Sequence, residues 1–484
     1  MPTSEIKAEQ GLSQVEIHET RLVDWDGIHD PENPLNWPLK RKWLTCIPMS
    51  LFNFIGAFIS AEVAPALSTI QKDLGVRSDT VLILCLSIYY LPYAIGPMIA
   101  APLSETFGRV RVLQLANVLF IITLLACALA HTPAQLIVFR FFSGLAGSVP
   151  QVICSGVIGD IFTREQRGKG VALYTIIPMI APAIGPIVGG FIVTRWSWRV
   201  CFYSAAIGSG LVQLFGLFFL RETFGPAILK LKRDALRTST GNNCYRTKHD
   251  SQSLAQKLRE SHTRPFRMLA RPLVLWLSIH VAYIYGIAML MLATFPMTWN
   301  GLYGQPIFLG SLNYISIGVG LLVGIQVGQP VNALLYRKLT ARNQGIAQPE
   351  FRLPLLFISC AFVPIGLFWY GWSAQERVHW IVPNIGAAIF VAGTAGTLQS
   401  IQTYVIDVYL SYSSSAMAAI TILRSIAACA LPLVAPAMFR NLEWGWGNSL
   451  LGFIALGFGV AAAVGLLRFG KVLREKSMLC ECNA

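Results

Sequence analysis

Charge is sparse in this sequence: Asp, Glu, Lys and Arg together make up 13% of its 484 residues, against about a quarter in soluble domains. A chain so poor in charge, 54% hydrophobic and with a mean hydropathy of +0.56, does not read as a soluble globular domain. Histidine is rare and dispersed, at positions 18, 29, 131, 249, 262, 280 and 379, so the clustered imidazoles of a membrane metal oxidase are missing. The ten cysteines stand apart with no CxxC pair; most fall in apolar runs and read as small core fillers. No GxxxxGK followed by Ser or Thr occurs, which excludes an ATP-driven pump built on that phosphate loop. Neither GxSxG nor HExxH is present. These absences point away from an enzyme, and no cofactor or metal is expected. The opening 42 residues also lack the basic, apolar and small-residue succession of a cleavable signal peptide.

Long apolar runs are abundant. A membrane span needs roughly 18 or more residues with few charges. Such windows recur near 43–65, 79–103, 112–130, 135–158, 170–193, 199–220, 272–296, 307–335, 353–372, 379–405, 414–438 and 447–467. The expected fold is an all-α integral membrane protein with twelve transmembrane helices in two six-helix domains, 43–221 and 271–468. Residues 222–270 are expected to form a basic cytosolic linker with a short amphipathic helix around Pro226 to Leu236. Tails are expected at 1–42, largely disordered, and at 469–484. An even number of crossings places both tails on one side. Of the 38 Lys and Arg, 30 lie in the tails and the loops on their side, six in the opposite loops and two inside spans. By the positive-inside rule both termini are cytosolic. Anionic cytosolic lipid accounts for the net charge of +14, so the basic balance implies no nucleic-acid partner.

The stretch AIGPIVGG, Ala183 to Gly190, lies inside one apolar run. Ala181, Gly185 and Gly189 recur every four residues and share one almost bare helix face, beside Pro182, Pro186 and Gly190. The eighth run carries a matching set, Gly320, Gly324 and Gly328. Small residues at this spacing let helices approach closely in lipid. Two bare faces, one in each half, are expected to rock against each other; the spacing is equally compatible with static close packing. GPMIAAPLSETFGRVRVL after the second run and GQPVNALLYRKL after the eighth are degenerate copies, which implies a repeat at the six-span level.

Here the chain resembles the major facilitator superfamily, and within it the fungal drug:proton antiporters with twelve spans. APLSETFGR, Ala101 to Arg109, is similar to the family's loop between the second and third helices, with Glu105 at its acidic position and Gly108, Arg109 and Arg111 as turn and cations. FRFFSGLAGS, Phe139 to Ser148, is similar to the fourth-helix motif that places Arg140 in the membrane. AIGPIVGG matches the end of the exporters' fifth-helix motif, with Ala181 where glycine is usual. DPENPLNWPLKRKW, GDIFTREQRGKG, RETFGPAILKLK, PEFRLP and WGWGNSLLGF extend the agreement from Trp25 to the last helix. Glu105 replaces the commoner Asp, and Thr106 stands where a cation usually follows. The resemblance implies two domains enclosing a central cavity opened alternately to either side, with the exporter motif at the domain interface. It implies an inner gate in which Glu105 and Arg109 engage Asp160 or Arg167. Thr163 and Gln166 have capping-box spacing, so helix capping is an equal role for Asp160 and Arg167.

Charges inside a membrane are costly and mark function. Glu62 lies in the first span, Arg140 in the fourth, His280 in the seventh and Arg424 in the eleventh. Removal from water favours a neutral carboxyl, whereas a nearby guanidinium favours its ionised form. Glu62 is therefore expected to carry the coupling proton and Arg140 to modulate it; a fixed ion pair or an internally hydrogen-bonded glutamate is the competing account. His280 reads as a satisfied interior imidazole, Arg424 as a ligand of backbone carbonyls, and Asp407 as a helix-end residue. Tyr89, Tyr90, Tyr93, Tyr283, Tyr285, Gln399, Gln402 and Tyr404 are the expected substrate contacts. Aromatic walls with a few amides suit an amphipathic organic molecule. The expected function is proton-coupled efflux of small amphipathic organic compounds such as drugs, toxins or secondary metabolites. The expected partners are substrate, protons and the lipid bilayer, with the chain monomeric. An uptake symporter or facilitator on the same scaffold, or a transporter-like sensor, remains open at this level. So does the choice between the cell membrane and the vacuole or another endomembrane.

Overall fold

A computed structural model describes residues 21–27, 29–163, 167–241, 244–247, 254–409 and 413–479. Almost all of them are helical. The first half of the chain forms α1 (Leu39–Glu62), α2 (Leu67–Asp73), α3 (Asp79–Ser87), α4 (Gly96–Phe107), α5 (Arg109–Ala128), α6 (Pro133–Ile161), α7 (Arg167–Arg195) and α8 (Arg199–Phe219). Two helices follow in the connector, α9 (Gly225–Thr240) and α10 (Leu254–Leu269). The second half contains α11 (Pro272–Pro296), α12 (Ile307–Leu312), α13 (Ile315–Arg342), α14 (Leu353–Gln375), α15 (Ile381–Val408) and α16 (Ser413–Leu479).

Local sequence explains the punctuation. Thr132 caps α6 by accepting the Gln135 N–H at 3.3 Å, with Pro133 at the first helical position, where its missing N–H costs nothing. Gly108 adopts φ +97, a conformation glycine tolerates, and turns the chain sharply from α4 into α5. Glu443, at φ 56 and ψ −174, breaks the long α16 into two helices. Among the described residues, ten helices are long and apolar enough to cross a membrane, and α3 with α4, bent by 45°, are so as a pair. With α16 divided at Glu443, every run expected from the sequence has its helix.

The outer faces carry the side chains that lipid requires. Leu115, Leu119 and Ile122 on α5 and Leu211, Leu214 and Phe218 on α8 are all exposed; such a band would be an aggregation surface in water. The interior is divided in a way that matters for function. One large buried cluster joins both halves, with Ile59, Tyr89 and Phe202 from the first and Trp299, Tyr314 and Phe390 from the second. At the end of the molecule bearing the chain termini, each half has its own cluster: Cys46, Met49, Val110 and Ile158 in the first, Leu273, Leu353, Ile401 and Ala416 in the second. Among the described residues, a small buried group, Ala94, Met98 and Ile422, bridges the halves between these. The continuous core therefore lies toward the end away from the termini.

The described part of the preceding tail packs on the connector. Residues 21–22 pair in parallel with Tyr245–Arg246, Asp26 pairs with Lys232 of α9 at 2.7 Å, and Trp25 lies against Gly225. Within the described part of the tail, the acidic segment DWDGIHDPEN meets α9 through the Asp26–Lys232 pair. The connector also contains α10 in addition to the expected helix.

Candidate functional site

Glu62 is the last residue of α1 and is fully buried. Its Oε1 accepts a hydrogen bond from Ser204 Oγ of α8 at 3.1 Å, while Oε2 has no hydrogen-bond partner among the described residues. Arg140 of α6 is equally buried. Its Nε donates to the Cys85 carbonyl at 3.2 Å, Nη2 to the Leu86 carbonyl at 3.3 Å and Nη1 to the Ile59 carbonyl at 3.5 Å. The Tyr89 ring lies 4.8 Å from its guanidinium carbon. No ion pair joins Glu62 to Arg140, so the fixed-pair account does not describe this geometry. Arg140 instead grips α1 one turn before Glu62, at the Ile59 carbonyl. A carboxyl with one engaged and one unengaged oxygen, near a guanidinium held by neutral carbonyls, can gain or lose a proton without dismantling an ion pair.

The glycine faces require a correction. Side-chain atoms added at Gly185 and Gly189 would strike α1, at the Phe58 and Glu62 carbonyls. Gly320 and Gly324 are closed in the same way by the Ala388 and Ala392 carbonyls of α15. Each bare face therefore packs within its own half, and the two do not face one another. Helical periodicity showed that the residues share a face but not which neighbour it meets. The halves touch along the next strip of α7: Gly190 lies against Ser311 of α12, and Ala183 against Gly318 of α13. Ala181 is fully buried and Pro186 lies inside α7, whereas Gly328 meets only Leu355, at 3.8 Å. One helix thus touches the Glu62 turn on one side and the other half on the other.

At the termini end, Arg109 Nε donates to Asp160 Oδ2 at 2.8 Å and Arg109 Nη1 to Ser104 Oγ at 3.2 Å. Gly156 leaves room for the guanidinium, since a Cβ there would lie 2.6 Å from Arg109 Cζ. Glu222 supplies the acid expected from Glu105. Its oxygens accept the Arg109 and Val110 N–H groups at 2.8 and 3.2 Å, capping the positive end of α5. Glu105 and Arg111 are exposed and enter no ion pair among the described residues. The Arg167 side chain lies outside the described residues. The second half repeats the motif: Arg352 Nε donates to Asp407 Oδ2 at 2.9 Å, a pair not foreseen for Asp407.

The expected substrate contacts separate into two groups. Tyr89 and Tyr404 are fully buried, Tyr89 donating to the Gly56 carbonyl at 2.9 Å, so both serve packing. Tyr283 donates to the Leu451 carbonyl at 2.7 Å; Gln399 is half-buried and Gln402 exposed. Tyr90 and Tyr93 remain partly open on the first half, and Tyr285 on the second lies 4.9 Å beneath the Arg424 guanidinium. His280 is only half the satisfied imidazole expected: Nε2 is hydrogen-bonded with Cys360 Sγ at 3.5 Å, while Nδ1 has no partner among the described residues. Ser204, Ser311 and Glu222 were not singled out from the sequence. Only Glu222 carried a signal, its place in RETFG at the end of a span.

Known proteins share this architecture. The sequence profile described as Major Facilitator Superfamily matches residues 47–432. The chain is 43% identical over 457 residues to "Efflux pump vrtL" of Penicillium aethiopicum, covering 94% of this chain and 91% of that one. It is 40% identical over 450 residues to "MFS-type transporter penM" of Penicillium rubens, covering 93% and 88%. Among solved structures it is similar to a D-xylose-proton symporter, with a TM-score of 0.66 at 18% identity over 87% of this chain and 96% of that one. It is also similar to the partially occluded, inward-open xylose transporter XylE from E. coli, with a TM-score of 0.65 at 17% identity over 89% and 98%.

Proposed function

Because the chain belongs to the major facilitator superfamily, within its fungal efflux branch, we propose that it exports small amphipathic organic compounds in exchange for protons. Both termini face the cytosol in this reading, and the two halves rock to expose a central site to each side in turn. The relatives' names as efflux pumps support the direction. The observation that carries the coupling is the buried, half-engaged Glu62 on the turn of α1 that α7 closes. A proton taken up there changes the charge of the interior beside Arg140 and so the energy of a packed surface that continues through α7 to the second half. In this sequence of events Glu62 binds and releases the proton, Ser204 orients its carboxyl, and Arg140 tunes its release. Arg109 with Asp160 and Arg352 with Asp407 stiffen the cytosolic ends of the halves as they separate.

The test is transport by purified protein in vesicles under an imposed proton gradient, with labelled hydrophobic compounds screened for movement against their own gradient. Movement that disappears when the gradient is collapsed supports antiport. Movement that persists identifies a facilitator instead.

A further inference from the structure

Arg424, half-buried on α16, differs from the fully buried Arg140 in how its guanidinium is held. Arg140 satisfies its guanidinium with three main-chain carbonyls. Arg424 donates no hydrogen bond among the described residues, its Nε is buried without a partner, and no carboxylate there pairs with it. A desolvated donor left unmade is expensive, and more so when charged. Its position gives the deficit a meaning. Arg424 lies on α16 between two contacts that join the halves, Ile422 with Met98 and Cys429 with Ser87 at 4.0 Å. Its guanidinium stacks over Tyr285, 4.9 Å from the ring centroid. Residues 88–94 of the first half, which carry the partly open Tyr90 and Tyr93, pack against α16. Tyrosines of both halves therefore lie along the part of α16 that carries a cation with no carboxylate partner among the described residues.

We propose that Arg424 recognises the anionic group of the substrate, a carboxylate or phenolate on a planar aromatic body that lies against Tyr90, Tyr93 and Tyr285. This rests on the exporter reading and narrows its substrate class to aromatic organic anions. The planar fork of arginine matches a carboxylate in two hydrogen bonds, and the tyrosine rings supply the stacking face. Binding supplies the partner the guanidinium lacks, and it draws together residues of both halves.

The experiment compares binding of 2-naphthoate and its neutral counterpart 2-naphthamide to the purified full chain, read by quenching of tryptophan fluorescence. The wild type is expected to bind the naphthoate about tenfold or more tightly than the amide, the usual weight of a charged hydrogen bond. Arg424→Gln should reduce that preference to about twofold or less while leaving amide affinity in place, and Arg424→Lys should restore part of it. Equal binding of the two probes by the wild type, binding of neither, or an unchanged preference in Arg424→Gln overturns the proposal. Should Arg424→Gln fail to fold, the wild-type ratio alone decides. Failure of the exporter reading would appear elsewhere, as no compound driven by a proton gradient in vesicles, because this measurement needs no gradient.

Discussion

Gly189 rests directly on the carbonyl of Glu62, leaving no space for a Cβ between them. The residue that makes α7 bare and the residue expected to carry the proton are thus the two sides of one contact. Any change in the charge or hydration of Glu62 acts on a helix whose adjacent strip, at Gly190 and Ala183, meets the second half.

Gly189→Ala is accordingly expected to destabilise the protein by about 1–3 kcal/mol, the usual cost of overpacking a close contact, and to suppress transport. Gly210→Ala, on α8 where nothing lies within 4 Å of the added carbon, should be neutral or stabilising by about 0.5–1 kcal/mol through helix propensity. Thermal unfolding of both purified variants checks the contrast. Equal behaviour would mean that the α1–α7 approach is not tight.

Glu62→Gln keeps the size of the side chain and an oxygen for Ser204 but cannot ionise. Export driven by the proton gradient should vanish, while exchange of labelled for unlabelled substrate across vesicles and abundance at the membrane persist. Ser204→Ala removes the donor to Oε1 and is expected to shift the pH profile of transport with a smaller effect on its maximum. Undiminished gradient-driven export by Glu62→Gln would remove this residue from coupling.

The two arginine–aspartate pairs should differ in strength with their exposure. Arg109 and Asp160 are 12% and 19% exposed, Arg352 and Asp407 24% and 30%. A double-mutant cycle on the first should give a coupling of about 1 kcal/mol or more, and on the second about 0.5–1 kcal/mol, nearer a surface pair. Glu222→Ala should cost about 1 kcal/mol as a lost helix cap, whereas Glu105→Ala should be silent in the same unfolding measurement.

Docking of the segment before α1 onto α9 should depend on pH at both extremes. The Asp26 and Glu32 N–H groups, each 2.8 Å from a carboxylate oxygen of Asp30, hold that carboxyl below its ordinary 3.8. Asp26 beside Lys232 raises the ammonium above its ordinary 10.5. The depressed carboxyl stabilises docking above 3.8 and loses that contribution as pH falls through its lowered value. The raised ammonium stabilises below 10.5 and loses it as pH rises through its raised value. Hydrogen-exchange protection of residues 21–27 should fall at both limits, with Asp30→Asn blunting the acid limb and Asp26→Asn the alkaline one. Protection that ignores both substitutions would show that other contacts hold the segment.

The sequence by itself determined where the chain crosses the membrane, because a bilayer admits only long apolar helices and their lengths are written in consecutive residues. It also determined that Glu62 and Arg140 are unusual, since charge inside such a run is conspicuous without any partner in view. Only the tertiary structure decided whom each residue meets. Gly185 and Gly189 could be placed on one face by a 3.6-residue period, yet α1 rather than α13 covers that face. Glu105 matched a motif, yet Glu222, more than a hundred residues later, reaches the start of α5. Tyr285 and Arg424 are separated by more than a hundred residues and stack only because α11 and α16 pack side by side. Periodicity fixes the direction in which a side chain points; the partner at the end of that direction comes from helices distant in sequence, and packing alone brings them there.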